Sequence, residues 1–105
     1  MSSGRRVGDL FEPEPWQWGL RGDPHLWWDM AKVLAEEPIP ATEGQLVALI
    51  KRTFETLTGA PWSTEDPFYL EKYAHGGMSS GYVSPAFWHE TALPLLLEHF
   101  AAARS

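Results

Sequence analysis

The residues best suited to chemistry lie in a segment rich in glycine and serine between positions 72 and 82. Successive glycines let backbone N–H groups converge on an anion, and serine hydroxyls can donate hydrogen bonds beside them. A lysine and a histidine can add positive charge, and two tyrosines can form walls. The pattern predicts a small-molecule or anion-binding loop made of Lys72, Tyr73, His75, Gly76, Gly77, Ser79, Ser80 and Tyr82. The competing interpretation is a plain turn, because glycine and serine favour turns in any case.

The sequence lacks any stronger signature of catalysis. The glycine and lysine spacing of a nucleotide-binding P-loop is absent. The chain has no cysteine, which excludes thiol nucleophiles, disulfides and cysteine-ligated metals. The histidines do not have the spacing of a zinc site: His25, His75, His89 and His99. We therefore predict no metal and no cofactor. The pattern favours a binding protein over an enzyme, and an enzyme that uses the 72–82 loop is the alternative.

Aromatic residues make up 13% of the chain and include six tryptophans, which is more than a small core easily shelters. Rings at periodic positions are expected inside the protein. The remaining tryptophans could form an exposed patch, and such patches mark partner surfaces. The candidates for this surface are Trp16, Trp18, Trp28, Trp62 and Trp88. Packing around the rim of the core is the alternative interpretation of the same residues.

The charge of the chain limits the kinds of partner. Fourteen acidic and eight basic residues give a net charge of −6, and the basic residues are scattered. Phosphate neutralisation needs clustered lysine and arginine, so we expect no direct nucleic-acid binding and no binding to an anionic membrane. The first thirty residues lack a secretory pattern, which predicts a cytoplasmic protein. We expect another protein as the partner, bound through aromatic and acidic side chains.

Helices are the elements that must position these residues. Asp23 and Pro24 predict the start of a first helix that ends near Glu37. Thr42 and Gln45 have the spacing of a capping box, which predicts the start of a second helix. That second helix carries a glycine cap at position 59.

Two further helix starts follow along the chain. Asp66 and Pro67 predict a short third helix that closes near Ala74. Ser84 followed by proline predicts the start of a long last helix. Pro94 should either kink this helix or make it restart with Thr91 as a new N-cap.

A length of 105 residues suits one domain with one core. We predict a flexible tail over residues 1–15 and a single helical domain over residues 16–105. The predicted fold class is all-α, a single small bundle of four to five helices with the glycine- and serine-rich loop between the third and last helices. Gly81, Tyr82 and Val83 could instead form part of a short β-ribbon, which would make the class α+β.

Overall fold

The computed structural model describes residues 6–11, 24–73 and 81–104, most of which lie in three helices. Helix α1 spans Pro24–Val33, helix α2 spans Glu43–Thr58, and helix α3 covers residues 85–104 as one continuous helical run. Strands β1 (Phe68–Tyr69) and β2 (Tyr82–Val83) pair antiparallel as a two-stranded ribbon. Turns of 3-10 helix occupy Val7–Phe11 and Glu71–Tyr73. Within these ranges no helix combines the length and the apolar content needed to cross a bilayer.

The described residues form a small α+β fold, so the predicted all-α bundle of four to five helices is wrong. The error lies at residues 66–74, where Asp66 and Pro67 predict a helix. Strand β1 follows Pro67 instead, and the Leu70 N–H donates a hydrogen bond to Gly81 O at 2.7 Å. Aromatic residues suit strands, and proline is compatible with the first position of an edge strand. The same local sequence is therefore consistent with either element, and the pairing with β2 decides between them.

The ends of helix α2 are set by residues close in sequence. The Thr42 side chain accepts a hydrogen bond from the Gln45 N–H at 3.1 Å, and the Gln45 side chain accepts one from the Thr42 N–H at 3.3 Å. Gly59 ends the helix with a φ of 72°, and its N–H donates to Glu55 O at 2.8 Å. The predicted capping box and glycine cap are both confirmed. Helix α1 likewise begins at the predicted proline, Pro24.

Residues 6–11 are packed into the fold, although the sequence predicts a flexible tail over residues 1–15. The Val7 N–H donates a hydrogen bond to Glu37 O at 2.8 Å. The apolar side chains of this turn share one face and are buried: Val7, Leu10 and Phe11. The tail prediction therefore does not hold for residues 6–11, and the other residues of that segment lie outside the described ranges.

Two further hydrogen bonds, each made by a helix side chain, fasten this turn to the helices. Trp27 Nε1 donates to Phe11 O at 3.3 Å. His99 Nδ1 lies 2.6 Å from Leu10 O. Because a carbonyl oxygen can only accept, His99 Nδ1 is the donor in this hydrogen bond. The turn is thereby tied to α1 at one side and to α3 at the other.

Helix α3 stays helical through Pro94 and does not restart at Thr91. The segment Trp88–Ala92 widens into a π-helix, in which the Leu93 N–H donates to Trp88 O five residues back. A proline ring in a regular α-helix clashes with the carbonyl four residues before it. A π-turn moves that carbonyl aside, so the wider turn accommodates the proline without ending the helix.

Four aromatic residues form the centre of the core, and we call them the aromatic core: Trp27, Phe54, Trp62 and Trp88. The ring centroids of Trp27 and Trp88 lie 5.8 Å apart, and those of Phe54 and Trp88 lie 6.1 Å apart. Trp62 meets Phe54 edge to face at 5.1 Å. Such contacts stabilise a core beyond the burial of apolar area. The aromatic core joins all three helices and holds the chain that leads to the ribbon.

Candidate functional site

Two tyrosines lie side by side on the solvent face of the ribbon. Tyr69 of β1 is paired with Tyr82 of β2, and their ring centroids are 5.4 Å apart. Tyr69 is 51% exposed and Tyr82 is 55% exposed. Side chains alternate across a strand, so the neighbours Phe68 and Val83 face the core instead. We call the pair Tyr69 and Tyr82 the tyrosine ribbon.

Exposed carboxylates lie on both sides of β1 along the chain. Three exposed acidic residues precede and follow this strand: Glu65, Asp66 and Glu71. The side chain of the neighbouring Lys72 is bound to α2, because its Nζ donates to Leu57 O at 2.8 Å. That carbonyl lies in the last turn of α2, where a positive charge is favourable. We call Glu65, Asp66 and Glu71 the acidic flank.

Of the three described tryptophans from the predicted partner surface, only Trp28 is exposed. Trp88 is completely buried in the aromatic core, and Trp62 is only 7% exposed because Phe54 and His89 cover its ring. These two cannot belong to an exposed surface, so the prediction is wrong for them. Trp28 is 47% exposed on α1. Trp16 and Trp18 lie outside the described residues.

Sequence reasoning had a signal for the burial of Trp88 that it did not use. Trp88, Ala92, Leu96 and Phe100 recur every four positions, and all four are buried. A spacing of four places side chains on one face of a helix. No comparable signal marks Trp62, because it lies in the connection between α2 and β1.

Three residues of the predicted anion-binding loop are described, and two of them are engaged within the fold. Tyr73 is buried, and its hydroxyl donates a hydrogen bond to Asp29 Oδ2 at 2.7 Å. Lys72 is bound to α2 as above and also lies over the Tyr73 ring, with Nζ 5.1 Å from the centroid. Tyr82 is exposed on the ribbon. The remaining residues of that loop lie outside the described ranges: His75, Gly76, Gly77, Ser79 and Ser80.

His25 is a polar residue that sequence reasoning did not select. Its ring stacks on Tyr73 with centroids 6.0 Å apart and planes 11° from parallel. Its Nε2 atom is buried, and it has no hydrogen-bond partner among the described residues. A buried ring nitrogen without a partner costs free energy. The only sequence signal was the spacing of four between His25 and Asp29, which places both on one face of α1 beside Tyr73.

The described part of the protein includes two open cavities that could hold a ligand. The first is a groove of about 210 Å³ between the end of α1 and α2, with apolar walls and one acid and one base at its rim. Its lining residues are Val33, Leu34, Glu37, Leu49, Arg52, Thr53, Thr56 and Leu57. The second, of about 400 Å³, is polar and is lined by Ser63, Thr64, Glu65, Ala86, His89 and Glu90. Across the described ranges, no three histidine, aspartate or glutamate side chains are grouped to hold a metal ion.

Comparison with known proteins gave no matching family model, no matching curated protein and no matching solved structure. The arrangement that points most directly to a function is the tyrosine ribbon together with its acidic flank.

Proposed function

We propose that this protein is a small cytoplasmic interaction module that binds a protein partner carrying basic residues. The observation that carries the proposal is the tyrosine ribbon, two adjacent rings that are each about half exposed. Tyrosine is enriched at protein interfaces. It supplies a large apolar face and a hydroxyl while few torsions must be fixed on binding. Two such rings side by side form a surface that a protein partner can contact.

The charge around the ribbon supports a basic partner. All three residues of the acidic flank are exposed, and the whole chain carries a net charge of −6. Complementary charge raises association rates and selects against partners of like charge. A partner rich in lysine or arginine is therefore favoured over a neutral or an acidic one.

The cytoplasmic location is part of the same proposal. The chain contains no cysteine. Disulfides form mainly in secreted proteins and are rare in the cytosol, so a small domain without them suits a reducing compartment.

The proposal is tested by affinity capture from a lysate with the wild-type chain and with the double variant Tyr69→Thr/Tyr82→Thr. Threonine keeps the strand preference while it removes both rings. We expect at least one protein that the wild type retains to be lost from the double variant. Its retention should also weaken as salt is raised, because exposed charges are screened within about 8 Å at physiological ionic strength.

A matched control separates the ribbon from aromatic exposure in general. Trp28→Ala removes a ring of similar exposure from α1. We expect this variant to retain the same proteins as the wild type. If the double variant and the wild type retain identical proteins, or if Trp28→Ala loses the same proteins as the double variant, the proposed function is wrong.

A second candidate function is anion or small-molecule binding by the predicted loop over residues 72–82. The observation that favours it is the buried Nε2 of His25, which lacks a hydrogen-bond partner within the described ranges and lies on Tyr73 at the start of that loop. A ligand oxygen could supply the missing partner. The nearby carboxylate of Asp29 opposes an anion there, so we rank this function second.

The second candidate is tested by thermal denaturation of the full chain with inorganic phosphate, acetate and citrate. A ligand at about 100 times its dissociation constant stabilises the folded state by roughly 2.7 kcal/mol. We expect a rise in Tm for the wild type that His25→Ala abolishes. An unchanged Tm with all three anions would rule out their binding.

A further inference from the structure

We infer that the outer edge of β1 binds the partner as an added strand, an extended segment with lysine or arginine at alternate positions. This inference rests on the proposed function and specifies how the partner would bind. It draws on the backbone hydrogen bonds of the ribbon, on the exposure of the edge and on the charges beside it.

The backbone of Tyr69 is directed away from the ribbon. The Leu70 N–H donates to Gly81 O at 2.7 Å, so these two residues form a hydrogen-bonded pair. Bonded and non-bonded pairs alternate along an antiparallel ladder. Tyr69 and Tyr82 are therefore a non-bonded pair, and the N–H and C=O of each point outward. Outside the ribbon, no backbone carbonyl of the described residues accepts the Tyr69 N–H.

Residues on both sides of β1 are exposed to solvent, as is Tyr69 within the strand. The exposed residues that precede and follow the strand are Glu65, Asp66, Pro67 and Glu71. An added strand can bond to the N–H and C=O of Tyr69 and to the C=O of Pro67, since proline still offers its carbonyl. The edge of β2 is less suitable, because that strand leads directly into α3 at the buried Pro85. Strand addition to an exposed sheet edge is a common mode of peptide recognition.

The side chains along this edge specify the charge of the added strand. The acidic flank provides three carboxylates, and the Tyr69 ring provides an aromatic face for a lysine or arginine side chain. The ammonium group of Lys72 donates to Leu57 O in the last turn of α2, where the partial negative charge of the helix end offsets part of its positive charge. An extended strand places alternate side chains on one face. Basic residues at alternate positions would therefore line up on the tyrosine side of the ribbon.

The first experiment follows backbone amide exchange by NMR on the isotope-labelled full chain. The probe is a synthetic, capped heptapeptide of alternating lysine and threonine, and the control peptide carries glutamate in place of lysine. We expect exchange of the Tyr69 amide to slow by about tenfold or more at saturating basic peptide, because its N–H becomes hydrogen-bonded. The Leu70 amide is already bonded and should change little. The inference is overturned if the basic peptide does not bind, if the acidic peptide binds as well, or if exchange at Tyr69 is unchanged.

The second experiment uses two N-methylated forms of the same basic peptide, one methylated at the lysines and one at the threonines. Only alternate N–H groups of an added strand face the edge to which it binds. We expect one form to bind about as well as the parent peptide and the other to bind about tenfold more weakly, as expected for lost backbone hydrogen bonds. Equal affinity of the two forms would show that the peptide is not bound as a strand.

Protein variants provide an independent comparison. Tyr69→Ala removes the ring and keeps the N–H, whereas Tyr69→Pro removes both. We expect Tyr69→Pro to bind the peptide several-fold more weakly than Tyr69→Ala. The N-methylated peptides leave the protein unchanged, so they decide the question if Tyr69→Pro fails to fold.

Failure of this inference differs from failure of the proposed function. If the two methylated forms bind equally while lysate capture still depends on both tyrosines, the interaction module stands and strand addition is wrong. If lysate capture does not depend on the tyrosines, the proposed function itself is wrong.

Discussion

The aromatic core and the tyrosine ribbon are built from rings at similar distances but have opposite exposure. Ring centroids in the core are 5.8 Å apart for Trp27 and Trp88, against 5.4 Å for Tyr69 and Tyr82 in the ribbon. Trp27 and Trp88 are completely buried, whereas both tyrosines are about half exposed. In both places each ring has an aromatic neighbour. The difference is that in the core other helices cover the remaining ring surface, whereas in the ribbon solvent does.

This difference separates the rings that hold the fold together from those available to a partner. A covered ring contributes to folding through the area it buries and the contacts it makes on every side. A half-exposed ring contributes less to folding and retains surface that a second protein can cover. Residue type and the presence of an aromatic neighbour do not distinguish the two roles. The two roles differ in whether other residues cover the remaining surface of each ring.

The largest expected effect compares one tryptophan from each environment. Trp88→Ala should lower the free energy of unfolding by about 3–5 kcal/mol, because it leaves a large cavity in the aromatic core. Trp28 is 47% exposed, so Trp28→Ala should cost less than about 1 kcal/mol. Urea denaturation followed by circular dichroism measures both. Equal costs would remove the distinction between covered and exposed rings.

A smaller effect tests whether the N-terminal turn belongs to the covered region. A Cβ atom added at Gly8 would lie 2.6 Å from the backbone Cα of Ala35, so Gly8→Ala should destabilise the fold by about 1–3 kcal/mol. Gly44, in the first turn of α2, has nothing within 4 Å of the added atom. Gly44→Ala should therefore stabilise the protein by up to about 1 kcal/mol. Thermal unfolding of the two variants should shift Tm in opposite directions, and a neutral Gly8→Ala would contradict the packing of this turn.

The smallest expected effect on stability is at the ribbon. Tyr69→Thr/Tyr82→Thr removes one cross-strand aromatic pair and should cost about 0.2–1 kcal/mol. The same double variant should lose the captured partner, so binding and stability would separate. Chemical denaturation gives the stability in parallel with capture. A loss of several kcal/mol would show that the tyrosines stabilise the fold as core residues do, which would contradict the difference between the two regions.

The sequence predicted best those features whose causes are local. The capping box of Thr42 and Gln45 and the glycine cap at Gly59 depend on residues within a few positions. Only residues that are close in sequence determine these two caps, and both predictions were confirmed. The sequence also predicted that Pro94 disturbs the last helix. It did not predict the π-turn that accommodates the proline, because several helix geometries can relieve the same steric clash.

The features that sequence analysis missed depend on distant partners. Phe68 pairs with Val83, and the residue pattern of the two segments does not predict this register. Residues 6–11 are held in the core by hydrogen bonds with three residues that are distant in sequence: Leu34, Glu37 and His99. The candidate site was predicted in part: Tyr82 was selected for a loop, whereas Tyr69 was placed in a helix. Their pairing follows from the ribbon, which no single segment specifies.

The contact between Leu10 and His99 also constrains when the protein can fold. These residues are 89 positions apart, so the hydrogen bond between them closes nearly the whole chain into one loop. Contacts of such long range form late, because a large loss of chain entropy precedes them. During synthesis, the turn at residues 6–11 can pack against α1 early, but its hydrogen bond to α3 cannot form until His99 has left the ribosome. Until then the side of this turn that packs against α3 lacks the cover that this helix gives it in the folded protein.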